Sequence, residues 1–318
     1  MEGATVSAAR LVLAAVAVAG GFLAAVVASR RAVASTEELA AGTRLPRFVI
    51  GFTLLAIGTD LPEIANSIAS SITGHGDLNV GDSVGSTATQ ATLVLGLLPI
   101  VAATSFVISR RRFVRVGAST VAALLLGVVL MLDGQLSRMD AVLLLGAWAL
   151  GSVLTFSRAP SGTQLDLPLA ARRKLARVGV VVLSLAVVAS GALSAVWGMT
   201  VLAEAMSVPE YVIAFFGASI GTSLPELIVE FTAVRRGQSE LAIGDALGSS
   251  FVDATLSIGI GPLIAPVAVS ASLAVRGSLV AAAAVVIVVS LLAARRRHDW
   301  LTGLVLVAIY VAFYLLLA

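Results

Sequence analysis

The apolar residues of this chain come in unbroken runs of about 20, the length a helix needs to cross about 30 Å of hydrocarbon. The runs fall near 8–28, 45–72, 79–103, 113–132, 138–156, 177–199, 209–234, 241–266, 275–294 and 299–317. Outer-membrane barrels alternate apolar and polar residues at every second position, a period these runs lack. The predicted fold is therefore an all-α membrane protein with ten transmembrane helices. Composition agrees: 12% of the 318 residues are charged and 58% apolar, whereas a soluble domain carries about 25% charged residues. So few charges cannot cover a water-facing surface, which excludes a soluble domain and intrinsic disorder alike. The 29 glycines show no Gly-X-Y period, which excludes collagen. The absence of Cys leaves no disulfide framework and no thiolate metal site. The first run is too long for a signal-peptide core and is followed by Arg30 and Arg31, so it reads as a retained helix.

Charge sets an orientation. The loops after helices one, three, five, seven and nine, with their flanks, hold 18 of the 21 Lys and Arg residues; the other face holds only Arg10, Arg138 and Arg276. By the positive-inside rule the rich face is cytoplasmic and both termini are extracellular. The net charge of +3 is spread over short loops without interleaved aromatics, which argues against a nucleic-acid partner. Trp197, Tyr211 and Trp300 fall at predicted helix ends, where amphipathic rings anchor in the headgroup layer.

Residues 58–96 align with 221–259 at a constant offset of 163 and share fifteen identities, among them Gly58/Gly221, Thr59/Thr222, Pro62/Pro225, Glu63/Glu226, Asp82/Asp245 and Ser86/Ser249. Apolar sequence matches itself readily through Leu, Val and Ala, but not through Pro, Glu, Asp, Ser and Gly in register. The offset contains five helices, an odd number, so the two copies cross the membrane in opposite senses. Residues 1–157 and 177–318 then form two inverted-topology five-helix repeats joined by a short cytoplasmic linker at 158–176. Inverted repeats are a hallmark of secondary transporters, whose sites lie near the midplane between the copies.

Midway along helix two runs Gly58-Thr59-Asp60-Leu61-Pro62-Glu63, and midway along helix seven Gly221-Thr222-Ser223-Leu224-Pro225-Glu226. Pro has no N–H and clashes with the carbonyl four residues back, so both helices are expected to break at midplane and free carbonyl oxygens. A Pro kink relieved by Thr or Ser hydroxyls would be unremarkable, but a carboxylate directly after each Pro is not. Asp60, Glu63, Glu226 and Asp253 would together cost on the order of 10 kcal/mol if left unpaired in hydrocarbon. No Lys or Arg lies mid-helix to pair with them, which leaves external cations or protons. Helices three and eight add Ser86 and Ser249, with Gln90 and Asp253 four residues on, along the same face. With Ser223 and the freed carbonyls, every donor is a hard oxygen, the chemistry of Ca²⁺ rather than of a soft metal. Asp82 and Asp245 read either as acids near helix starts or as outer steps of an ion path. Glu230, one turn past Glu226, either lines the path or faces a polar mouth. His75 is expected to be solvated, as are Glu204 and Glu210.

These paired motifs resemble the cation/calcium exchanger superfamily, specifically the prokaryotic sodium/calcium exchangers, over essentially the whole chain. The resemblance implies ten helices in inverted halves, with Glu63 and Glu226 at the Ca²⁺ centre. It further implies that backbone oxygens of Thr59 and Thr222 complete that centre, and that those of Ala56 and Ser219 serve adjacent Na⁺ sites. Asp60 stands where the family has Ser, and Gln90 where it has Asn or Asp, departures that bear on Na⁺ stoichiometry and on H⁺ coupling. The expected activity is secondary antiport across the cell (inner) membrane, Na⁺ entering as Ca²⁺ leaves by alternating access, with helices one and six sliding past the core. Ca²⁺/H⁺ exchange on the same scaffold is the alternative; a cation channel would more naturally be an oligomer with a ring of charges than a chain with inverted halves, and an intramembrane hydrolase has no partner motif to support a carboxylate dyad. The reading includes no catalysis and no cofactor. The partners are Ca²⁺, Na⁺ or H⁺ and the lipid bilayer, and a monomer is expected to function alone.

Overall fold

In a bilayer every backbone polar group must be satisfied within the protein, so each apolar run closes on itself as a helix. The computed structural model describes residues 7–40, 47–107, 109–156, 171–206, 208–235 and 237–317. These form ten helices: α1 (Ala8–Ala40), α2 (47–73), α3 (Gly76–Val101), α4 (Arg110–Leu130), α5 (Arg138–Phe156), α6 (Ala171–Met206), α7 (Glu210–Arg235), α8 (Ser239–Ile264), α9 (Ala271–Arg295) and α10 (Trp300–Leu317). Eight are long and apolar enough to cross a membrane, while α10 offers the shorter apolar stretch Trp300–Phe313. The chain is a multi-pass membrane protein. Helices α1 and α6, with 33 and 36 residues, outrun their apolar cores because the adjoining Arg- and Glu-containing segments are good helix formers too. Residues 171–176, expected in the linker, are the first turns of α6; 157–170, Arg44 and Arg236 lie outside the described residues.

The internal repeat extends to irregularities that the sequence alignment did not mark. Five-residue π-helical turns occur at Gly51–Leu55 and Ala214–Ala218, and again at Gln90–Val94 and Asp253–Ser257, each pair 163 residues apart. Gly74 and Gly237, at the same offset, both take left-handed backbone (φ 82° and 72°), which glycine adopts without strain. Two short antiparallel strand pairs tie the halves together at opposite faces. β1 (Phe106–Val107) pairs with β4 (Arg297–His298), and β2 (Gln135–Leu136) with β3 (Val267–Ala268).

Helix α2 runs as Arg47–Ile50, its π turn and Ala56–Thr59, breaks at Asp60, and resumes as Leu61–Thr73; α7 breaks equivalently at Ser223. Glycines let the core helices approach the broken ones. A Cβ on Gly85 of α3 would strike the Phe215 carbonyl of α7, and one on Gly248 of α8 the Phe52 carbonyl of α2. Helices α1 and α6 pack along each other through Gly21 and Gly191 and present Val12, Val16, Leu23, Val182 and Leu183 outward, the lipid-facing pattern. Arg138, one of the three basic residues on the arginine-poor face, has a local role there: its guanidinium donates to the Leu263 and Ile264 carbonyls (3.3 and 3.1 Å) at the α8 C-terminus, where a cation suits the dipole. Tyr211 corrects an expectation: it is 3% exposed and its hydroxyl occupies the space left by Gly277, so it packs in the core and does not anchor in headgroups.

Candidate metal centre

Four prolines inside the repeats each deprive a carbonyl of its helical donor, and the protein treats the four differently. Pro99 frees the Leu95 carbonyl, and the His298 Nε2–H donates to it (2.7 Å). Pro262, at offset 163, frees the Ile258 carbonyl, and the Asn79 amide donates to it (3.1 Å). Pro62 and Pro225 free the Gly58 and Gly221 carbonyls, and no side-chain donor among the described residues replaces the lost N–H. Both lie beside the midplane carboxylates.

Those carboxylates converge. One oxygen each from Asp60, Glu63 and Glu226 lies within 4.8 Å of the others. Two oxygens on opposite sides of a Ca²⁺ at about 2.3–2.6 Å would stand about 4.6–5.2 Å apart, so the three fit around one such ion. The Ser86 hydroxyl donates to Glu63 Oε1 at 3.4 Å. The carboxylate oxygens of Asp60, Glu226 and Asp253, the Gln90 amide and the Ser223 hydroxyl have no hydrogen bond of normal geometry. Asp253 sits outside the 4.8 Å group but within electrostatic range of Glu63 and Glu226. It and Gln90 open the second pair of π turns, a helix irregularity common at functional sites.

The remaining expected ligands surround this group. Thr59 Oγ1 lies 3.4 Å from Ser249 Oγ, and Ser86 Oγ 3.3 Å from Thr222 Oγ1, so the same contact is made twice, once by each repeat. The Ala56 carbonyl already accepts the Asp60 N–H (2.9 Å) and the Thr59 hydroxyl (3.2 Å), and the Ser219 carbonyl the Ser223 N–H (3.1 Å) and the Thr222 hydroxyl (3.4 Å), so an ion there would displace a hydroxyl donor and leave the N–H bond in place. All twelve expected residues are at most 2% exposed, counting Ala56 and Ser219. The centre is occluded from both faces.

Among the described residues, seven carboxylic side chains are completely buried: Asp60, Glu63, Asp82, Glu226, Glu230, Asp245 and Asp253. No Lys or Arg is buried with them among the described residues. Each uncompensated charge would cost several kcal/mol, so bound cations or protons must supply the balance. Asp82 and Asp245 are therefore interior residues, and the acids in the first turns of α3 and α8 are instead Asp77 and Glu240. Asp82 accepts from the Asn66 amide (2.6 Å) and the Thr222 hydroxyl (3.1 Å). Asn66 was not singled out from sequence; its place three residues after Glu63, on the same helical face, was the available signal. His75 is not free in solvent: its Nδ1 lies 3.0 Å from Glu210 Oε1. Glu204, by contrast, is half exposed and 3.8 Å from Arg10.

Known proteins resemble this chain in sequence and in fold. The chain is 31% identical over 259 residues to inner membrane protein YrbG of Escherichia coli strain K12, covering 77% of this chain and 78% of that one. In fold it is similar to the sodium-calcium exchanger NCX_Mj (TM-score 0.65, 24% identity, 95% of this chain and 97% of that one). It is also similar in fold to an H⁺/Ca²⁺ exchanger, CAX (TM-score 0.75, 17% identity, 96% and 86%). These structural neighbours are transporters and not enzymes. The family described as sodium/calcium exchanger protein matches residues 13–157 and 177–318, one stretch for each repeat, and the chain belongs to that family.

Proposed function

We propose that this protein is a secondary antiporter that moves Ca²⁺ out of the cell in exchange for Na⁺ through the midplane carboxylate centre. The observation that carries this reading is the convergence of Asp60, Glu63 and Glu226 oxygens within 4.8 Å in an occluded site whose donors are all oxygen. Glu63 and Glu226 bind Ca²⁺, with the carbonyls of Thr59 and Thr222 beside them. Asp60, Asp253, Gln90, Ser86, Ser223 and Ser249 supply further oxygens, and the carbonyls of Ala56 and Ser219 hold the driving ion. Ca²⁺ and the driving ions compete for one cluster of charge, and only a neutralised cluster lets α1 and α6 move past the core. The arginine-rich face is cytoplasmic in this reading.

A third carboxylate in the group favours a second reading, exchange for H⁺, because like charges this close resist ionising together. Proteoliposomes separate the two readings. Ca²⁺ uptake driven by an outward Na⁺ gradient at symmetric pH supports Na⁺ exchange. Uptake driven only by a pH gradient with no Na⁺ present overturns it in favour of H⁺.

A further inference from the structure

We propose that the arginine-lined cavity between the β1–α4 and α9–β4 segments binds the phosphate of an anionic phospholipid. The cavity holds about 890 Å³ and is lined by Arg110, Arg111, Arg115 and Arg296 together with Val107 and Val114. It is remote from the carboxylate centre. The positive-inside rule explains why arginines occupy these loops. It does not explain why four of them, drawn from opposite halves of the chain, face one cavity. The pairing of Val107 with Arg297 brings the two loops together, and Arg296 is held there in left-handed backbone (φ 56°), a conformation that costs a residue with a side chain.

Neighbouring cations are already engaged. Arg112 meets Glu240 at 3.5 Å, Arg295 meets Asp299 at 3.0 Å, and Arg297 donates to the Ser105 hydroxyl at 2.9 Å. Among the described residues no carboxylate pairs with any of the four cavity arginines. The internal repeat provides a comparison. At offset 163, Arg110, Arg111 and Arg115 become Leu273, Ala274 and Ser278. There the chain brings in its own anion: Asp77 accepts from the Ser270 N–H (2.6 Å) and hydroxyl (2.5 Å). Asp77's counterpart, Glu240, reaches Arg112.

Guanidinium groups match phosphate oxygens in a bidentate fork, and basic pockets between helix ends suit anionic headgroups. The walls favour a lipid over a soluble anion. Val107 and Val114 are 87% and 41% exposed, and Val114 begins a lipid-facing row on α4 that continues through Leu125 and Val129, so an acyl chain has an apolar track leading away from the phosphate.

The test is native mass spectrometry of the full-length protein in micelles containing phosphatidylglycerol and phosphatidylcholine. The wild type is expected to retain phosphatidylglycerol in preference to phosphatidylcholine. The variant R110Q/R115Q/R296Q should lose that occupancy by about tenfold or more, and R235Q, a charge removed from the same face outside the cavity, should keep it. Equal retention by the triple variant, equal loss in R235Q, equal occupancy by phosphatidylcholine, or displacement of the lipid by millimolar inorganic phosphate would each overturn the proposal. The lipid preference and the phosphate competition are read on the wild type, so they hold even if the triple variant does not fold.

Discussion

The two repeats build the same scaffold but treat one buried acid differently. In the first, Asp82 is held by the Asn66 amide and the Thr222 hydroxyl. In the second, the place of Asn66 is taken by Val229, the place of Ser67 by Glu230, and Asp245 has Glu230 as its electrostatic neighbour. Both oxygens of Glu230 lack a hydrogen bond. Toward the arginine-poor face Asp82 is fixed by donors the chain supplies; toward the arginine-rich face Glu230 stands beside Asp245 with neither of its own oxygens hydrogen-bonded, so Glu230 needs a cation or a proton. Symmetry of fold therefore coexists with asymmetry of charge, and the asymmetric half is where a cation arriving from the arginine-rich side is attracted.

Four substitutions break or sharpen this contrast, beginning with the largest effect. Asp253→Asn gives the second repeat a neutral amide where the first has Gln90, and apparent Ca²⁺ affinity in an exchange assay should fall about 10–100-fold, the cost typical of a lost supporting group. Glu230→Ser, which installs the first repeat's residue, should raise the KM for the cation presented at the arginine-rich face by a few fold and leave the other face unchanged; equal shifts at both faces would mean that the charge asymmetry has no functional consequence. Asn66→Ala strips Asp82 of its amide donor and should destabilise the protein by about 1–3 kcal/mol, read as a lowered Tm, whereas Val229→Ala has no hydrogen bond to lose and should cost less.

The smallest effect separates His298 from Asn79, which serve freed carbonyls at equivalent places. Either Ala substitution should cost about 1–3 kcal/mol at neutral pH. Only His298 titrates. Burial holds its pKa below the usual histidine value, against the opposing pull of the Leu95 carbonyl and Asp299. As pH falls through about 6.5 the unfolded chain takes up its proton first, so the stability His298 provides is complete above that pH and declines below it. Thermal unfolding of His298→Ala should show a shallower decline between pH 7 and 5 than the wild type; identical slopes would exclude His298 as the source.

Much of this was legible in the chain itself. Apolar length gave the helices, and Pro beside Glu at a fixed offset gave the two breaks and the midplane carboxylates, because those signals are local. The π turns were not legible: they shift helical register without changing composition, and only packing of α3 on α7 and of α8 on α2 reveals them. The donors to Leu95 and Ile258 come from 203 and 179 residues away, beyond any local pattern. Tyr211 was misread because its burial depends on the space left by Gly277, another distant residue. The arginine cavity required the β1–β4 pairing, although each arginine was visible as a charge.

The central claim is that Glu63 and Glu226 hold Ca²⁺ together between inverted halves. Ca²⁺ uptake into proteoliposomes under an outward Na⁺ gradient, measured for the wild type, Glu63→Gln and Glu226→Gln, tests it most directly. Saturable uptake by the wild type and background flux in both variants is the predicted result; undiminished flux in either variant would contradict it.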